Sequence, residues 1–166
     1  DYSQGYTADP ETGGVLFDII HEFDLANHLL GPAETIFAAA RNTGMIEIPS
    51  EDCADIVLGH ESGVRSVLHL DYVTRPTRRF AEIGGDKGIL RLDLVMGEVT
   101  LIDHTGAVTE KQIFGGEDPN KAYLEEMSTF VDCIESKSAP PCDGIEALAI
   151  LEQVIQARKM CGLPGS

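Results

Sequence analysis

Between residues 34 and 114 the chain contains seven segments that alternate or run apolar for strand lengths: 34 to 41, 53 to 59, 64 to 73, 78 to 83, 89 to 94, 97 to 102 and 107 to 114. Most are joined by short polar turns, His60-Glu61-Ser62-Gly63, Gly84-Gly85-Asp86-Lys87-Gly88 and Asp103-His104-Thr105-Gly106 among them. A parallel return needs a dozen or more residues of crossover, so these connections favour antiparallel neighbours. No other feature restricts the possible folds as much.

Helical periodicity brackets this run. Val15, Leu16, Ile19, Ile20, Phe23 and Leu30 gather on one side of a helix over residues 14 to 30, which Gly31-Pro32 stops. After the strands, Tyr123, Leu124, Met127, Phe130, Val131 and Ile134 predict a helix over 120 to 136 with its start at Asp118-Pro119. Ile145, Leu148, Leu151, Ile155 and Ala157 predict another over 144 to 160. Helix, strands, then two helices is the order of a two-layer α+β domain. Residues 1 to 12 read as a lead-in loop.

With 166 residues and 43% hydrophobic side chains, the expectation is one globular domain that needs no disulfide or metal staple. The 12 Lys and Arg against 28 Asp and Glu leave a formal charge of −16, which argues against nucleic acid and anionic membrane as partners. No apolar run reaches the roughly 18 residues of a membrane span. Cys53, Cys133, Cys142 and Cys161 form no C-x-x-C pair, which predicts reduced thiols and a cytoplasmic protein.

The glycine pairs do not make a nucleotide loop. Gly84 to Gly88 feeds a strand rather than a helix, and Gly13-Gly14 follows no strand pattern. Nor is there an H-E-x-x-H metal motif or a G-x-S-x-G nucleophile elbow.

The informative stretch is FDIIHEFDLANH, residues 17 to 28. Asp18, His21, Asp24 and His28 fall along one polar strip of a continuous helix, opposite the apolar arc. A carboxylate three residues before an imidazole is placed to fix its tautomer and leave the other nitrogen free to exchange a proton. The same strip also suits the ordinary wet side of an amphipathic helix. Arg75, Arg78 and Arg79 form the densest basic patch, suited to a phosphate or carboxylate or to pairing with Glu82 or Asp93. His69 and Asp71 share one strand face.

The stretch GGVLFDIIHEFDLANHLLG, residues 13 to 31, resembles the second domain of the Gfo/Idh/MocA oxidoreductases. The later blocks follow in the same order: EDCADIVL from residue 51, IGGDKGILRLD from 83, YLEEMSTFVDCI from 123 and GIEAL from 144. The resemblance covers nearly the whole chain. It implies an open-faced, predominantly antiparallel sheet with helices on one face, like the C-terminal domain of glyceraldehyde-3-phosphate dehydrogenase. It further implies a separate Rossmann domain that binds NAD or NADP and carries a Lys in an E-K-P motif. Carried over by position, His21 is the acid/base and Asp18 its partner, although the Asp to His spacing here is three residues where many members have four. Asp24, Tyr6 of the lead-in and Arg78 are the candidate substrate contacts, with a sugar, polyol or nucleotide sugar as substrate. The free sheet face implies a homodimer. The Rossmann half lies outside these 166 residues, so the chain alone is expected to be inactive. A non-catalytic sugar-binding module and a purely structural dimerisation domain are the alternatives.

Overall fold

The computed structural model describes residues 5–114 and 120–164. A 3-10 turn (Tyr6–Ala8) leads into helices α1 (Val15–Asp18) and α2 (His21–Leu30). Strands β1 (Ala33–Arg41), β2 (Cys53–His60) and β3 (Arg65–Asp71) follow, then β4 (Phe80–Gly85), β5 (Gly88–Asp93), β6 (Glu98–Ile102) and β7 (Val108–Ile113). Helices α3 (Lys121–Ser136) and α4 (Gly144–Met160) close the order. All seven expected strands form, each close to its expected bounds. The proposed start of α3 at Asp118-Pro119 lies outside the described residues.

The fold is α+β, and every strand pairing is antiparallel. The strands form two sheets, of order β1-β2-β3 and β4-β5-β6-β7, where the resemblance implied one open-faced sheet. The link between β3 and β4 is not a hairpin: it holds eight residues, 72 to 79, including Pro76, which offers no N–H to a ladder. The chain correspondingly divides into two compact units, one of residues 1–73 with 141–166 and one of residues 74–140.

In the first unit, alternation along β2 turns Ala54, Ile56 and Leu58 inward and Asp55 and Val57 outward. The inward set meets Val15 and Leu16 of α1, Phe23 and Ala26 of α2, and Ile150, Val154 and Ala157 of α4. Complete burial of Leu16, Phe23, Ile56 and Leu58 contributes about 1.5–3 kcal/mol for each side chain. Asn27 and Gln153 exchange hydrogen bonds at 2.9 Å, and Gln153 also donates to the Ala33 carbonyl, so the end of α2 is fixed to α4 and β1.

In the second unit, Gly84 to Gly88 closes the β4–β5 hairpin, as the strand after it required. Cross-strand pairs place Glu82 opposite Arg91 and Thr100 opposite Lys111 on one face. The opposite face carries Ala81, Ile83, Leu90, Leu92, Val99 and Leu101.

Candidate functional site

The expected continuous helix over 14 to 30 is broken. α1 ends at Asp18, and α2 begins at His21 after the turn Ile19-Ile20. The amide of Glu22 donates to the Ile19 carbonyl at 3.1 Å, three residues back, and the ladder resets at this turn. Apolar periodicity passes straight through such a break, because Ile19 and Ile20 keep facing the core cluster.

The start of α1 is held from several directions. A Cβ on Gly13 would collide with the Tyr6 carbonyl and the Thr7 backbone, so only glycine lets the lead-in pass this closely. Gly14 has φ +87, and a Cβ there would strike the Glu51 carboxylate. Glu51 caps α1 by accepting the Val15 amide on its backbone carbonyl at 2.9 Å and the Leu16 amide on Oε1 at 3.3 Å. Its Oε1 also lies 3.0 Å from Nη1 of Arg158, an ion pair with side chains 2% and 0% exposed. Burial pushes the Glu51 carboxyl above the usual carboxylate range, and Arg158 draws it part of the way back. Arg158 further donates to the carbonyls of Gly13, Pro10 and Pro164, and its guanidinium lies 4.3 Å from the Phe17 ring centroid.

This frame brings Tyr6 to Asp18: the phenol donates a short hydrogen bond to Asp18 Oδ1. That bond and the carboxylate charge raise the Tyr6 pKa above its ordinary value of 10.0, so the phenol is a donor at neutral pH. The expected contact between Asp18 and His21 is replaced by a different pairing. His21 Nε2 lies 3.4 Å from Oε1 of Glu22, and the imidazole is half exposed. The break at Ile19-Ile20 accounts for this, since the three-residue spacing of a continuous helix no longer applies. Asp24 and His28 are exposed along α2.

Arg78 belongs to the second unit, in a groove that it lines with Arg79, Phe80 and Arg91. Glu82, expected as a partner for this patch, pairs with Arg91 at 3.2 Å. On the outer face of β1-β2-β3, His69 Nδ1 lies 2.6 Å from Asp55 Oδ1 and its Nε2 3.5 Å from Asp71 Oδ2. Asp55 was missed as the third member because only the register, Asp55 opposite His69, joins it to the other two. Among the described residues no group of three or more His, Cys, Asp or Glu is arranged to hold a metal ion. Burial raises the thiol pKa of Cys53 and Cys161, so neither is primed as a nucleophile.

Neither glycine cluster is arranged as a dinucleotide loop. The α1 amides that follow Gly13-Gly14 are already taken by Glu51, and the other glycine cluster closes a hairpin.

Residues 2–91 match the family model of the GFO/IDH/MocA C-terminal domain, and the chain belongs to this family. It is 30% identical over 147 residues to myo-inositol 2-dehydrogenase of Thermotoga maritima, covering 80% of this chain and 42% of that protein. It is 41% identical over 78 residues to D-apiose dehydrogenase of Paraburkholderia graminis, covering 44% of this chain and 20% of that protein. The chain thus spans less than half the length of these relatives. An oxidoreductase from Agrobacterium radiobacter, solved with NAD+, L-tartaric acid and magnesium, superposes with TM-score 0.77 at 22% identity, over 96% of this chain and 50% of that one. UDP-N-acetylglucosamine 3-dehydrogenase from Acidithiobacillus ferrooxidans gives TM-score 0.76 at 21% identity with the same coverage. Both structures share the fold. Among the described residues no helix is long and apolar enough to cross a membrane.

Proposed function

We propose that residues 1–166 are the substrate-binding and dimerisation part of a cytoplasmic NAD(P)-dependent oxidoreductase. It acts at a carbinol or keto carbon of a sugar, polyol or nucleotide sugar. The observation that carries this reading is the half-exposed imidazole of His21 at the head of α2, inside the family-matched segment and next to the carboxylate of Glu22. In the oxidation direction, neutral His21 takes the hydroxyl proton of the substrate, and Glu22 stabilises the imidazolium that results. Tyr6 and Asp18, hydrogen-bonded to one another at the end of α1, offer a phenol and a carboxylate to substrate hydroxyls, and Asp24 extends the acceptor set along α2. The nicotinamide cofactor, NAD or NADP, is held mainly by a Rossmann domain outside these residues.

The relatives support the substrate class: two proteins similar to this chain are dehydrogenases, one of myo-inositol and one of D-apiose. The test is His21→Gln in the complete protein, with kcat and cofactor affinity measured separately. Loss of a general acid/base lowers kcat by about 10²- to 10⁴-fold and leaves cofactor affinity nearly unchanged. Equal losses in both would refute the role. A second reading, a sugar-binding module without chemistry, is favoured by one observation: Asp18 engages Tyr6 instead of the imidazole. Full turnover in the His21→Gln protein would exclude His21 chemistry. A wild-type protein that binds sugars and never turns them over would favour the module.

A further inference from the structure

We propose that the groove beside strand β4 binds the phosphate group of a small molecule through Arg78, Arg79 and Arg91. The proposal stands apart from the proton chemistry assigned to His21, because it concerns another unit of the chain and is read by binding rather than turnover. The groove encloses about 310 Å³ and is lined in part by the three arginines, Phe80, Asp93 and Met96. Three of the chain's 12 Lys and Arg therefore converge on one concavity of a molecule whose formal charge is −16. Charge of this sign, gathered in a chain that is otherwise strongly acidic, needs a reason.

The strand ladder explains how the arginines come together. β4 is an edge strand, and the Arg79 carbonyl accepts the Leu94 amide at 2.9 Å, which extends the β4–β5 pairing past Phe80. Phe80 lies opposite Asp93 and Glu82 opposite Arg91, so Phe80 and Arg91 occupy the same face. The Arg91 guanidinium rests 5.2 Å from the Phe80 ring centroid and pairs with Glu82 at 3.2 Å, which fixes its plane. Arg78 has no side-chain hydrogen bond or ion pair among the described residues, and it is exposed. The one acid in the lining, Asp93, spends its Oδ1 on the amides of Val95 and Met96 at 3.1 and 2.9 Å. Its charge is thus directed into the β5–β6 turn.

A planar guanidinium fork matches two oxygens of a phosphate at once, and three forks around one concavity suit a group with three or more anionic oxygens better than a single carboxylate. The ring of Phe80 and the thioether of Met96 add an apolar wall for the body of the ligand. The site is open to solvent, so binding is screened by salt.

The test is an NMR titration of the isotope-labelled chain with sodium pyrophosphate at fixed ionic strength, with citrate as the carboxylate arm and inorganic phosphate as the minimal probe. Saturable shifts at Arg78, Arg91, Phe80 and Met96 are expected. Arg78→Gln, an exposed position whose loss leaves the fold intact, should weaken pyrophosphate at least tenfold, and Arg91→Gln should do the same. Arg65→Gln, a cation outside the groove, should leave affinity unchanged. Absence of saturation, or equal affinity in Arg78→Gln and the unaltered chain, overturns the site. Tighter binding of citrate than of pyrophosphate overturns the phosphate assignment.

Discussion

Tyr6 and Asp18 illustrate how a contact between an exposed and a half-buried side chain depends on glycines that have no side chain at all. The phenol reaches the carboxylate because Gly13 lets the Tyr6–Ala8 turn lie against the head of α1, and Gly14 leaves room for Glu51. The hydrogen bond to Asp18 and the charge on that carboxylate both favour the neutral phenol, which raises the Tyr6 pKa. In Asp18→Asn the charge is gone, so the Tyr6 titration should fall back toward 10.0. Carbon-13 NMR of the labelled tyrosine ring reads this directly. A Tyr6 titration that does not move would mean the pair is not formed in solution. At this scale the sequence was partly legible. The spacing of Asp18, His21 and Asp24 drew attention to this stretch, but the partners came out differently because two isoleucines that suit a helix also suit the turn that interrupts it. Tyr6 was selected by resemblance alone, since no local period connects it to a residue 12 positions away.

At the scale of elements, alternation and short loops made β1 to β7 readable, because both are local properties. The extent of α4 was readable too, but its buried face is Ile150, Gln153, Val154, Ala157 and Arg158, while Ile145 and Leu148 of the expected apolar set are exposed. What holds α1 is not local. Arg158, in the last turn of α4, is fully buried and binds Glu51 together with four carbonyls. Its sequence distance from Gly13 is 145 residues, beyond any motif. Arg158→Met should cost about 3–5 kcal/mol, since it strands a buried carboxylate as well as removing a pair. The pH dependence follows from Glu51. Its folded pKa already lies above the unfolded one, so the stability tied to its protonation is present below the usual carboxylate range and lost as pH rises through the folded value. Without Arg158 the carboxyl moves further up and the loss continues to higher pH. Urea titrations should therefore find the variant's deficit smaller at pH 5 than at pH 8. A deficit independent of pH would show that Arg158 acts through its carbonyl contacts and not through Glu51.

For the whole molecule, the question is what covers the apolar surface that the two units leave open. α3 buries none of its side chains, with Leu124, Met127 and Ile134 between 61% and 67% exposed, although its period was plain in the sequence. Periodicity reports which side of a helix is apolar and carries no information on what lies against it. The outer face of β1-β2-β3 is more specific. The register aligns Phe37, Val57 and Val67 in one row across the three strands, with Phe37 and Val67 53% and 74% exposed. This row is the apolar centre that the proposed homodimer requires, and a stable interface must bury about 1,200–2,000 Å² in total around it. Two copies each carrying a formal charge of −16 repel one another, so their association should strengthen as salt shortens the Debye length toward about 8 Å at 0.15 M. Anion binding in the arginine groove should weaken over the same range, which gives the two surfaces opposite salt signatures in one protein. Val67→Glu places a carboxylate at the centre of the row. It should raise the dimer dissociation constant at least tenfold, read as the shift from dimer to monomer mass in light scattering across a dilution series. Because Val67 is exposed, the thermal midpoint of the diluted monomer should stay unchanged. A mass unaffected by the substitution at every concentration would place any self-association on another surface.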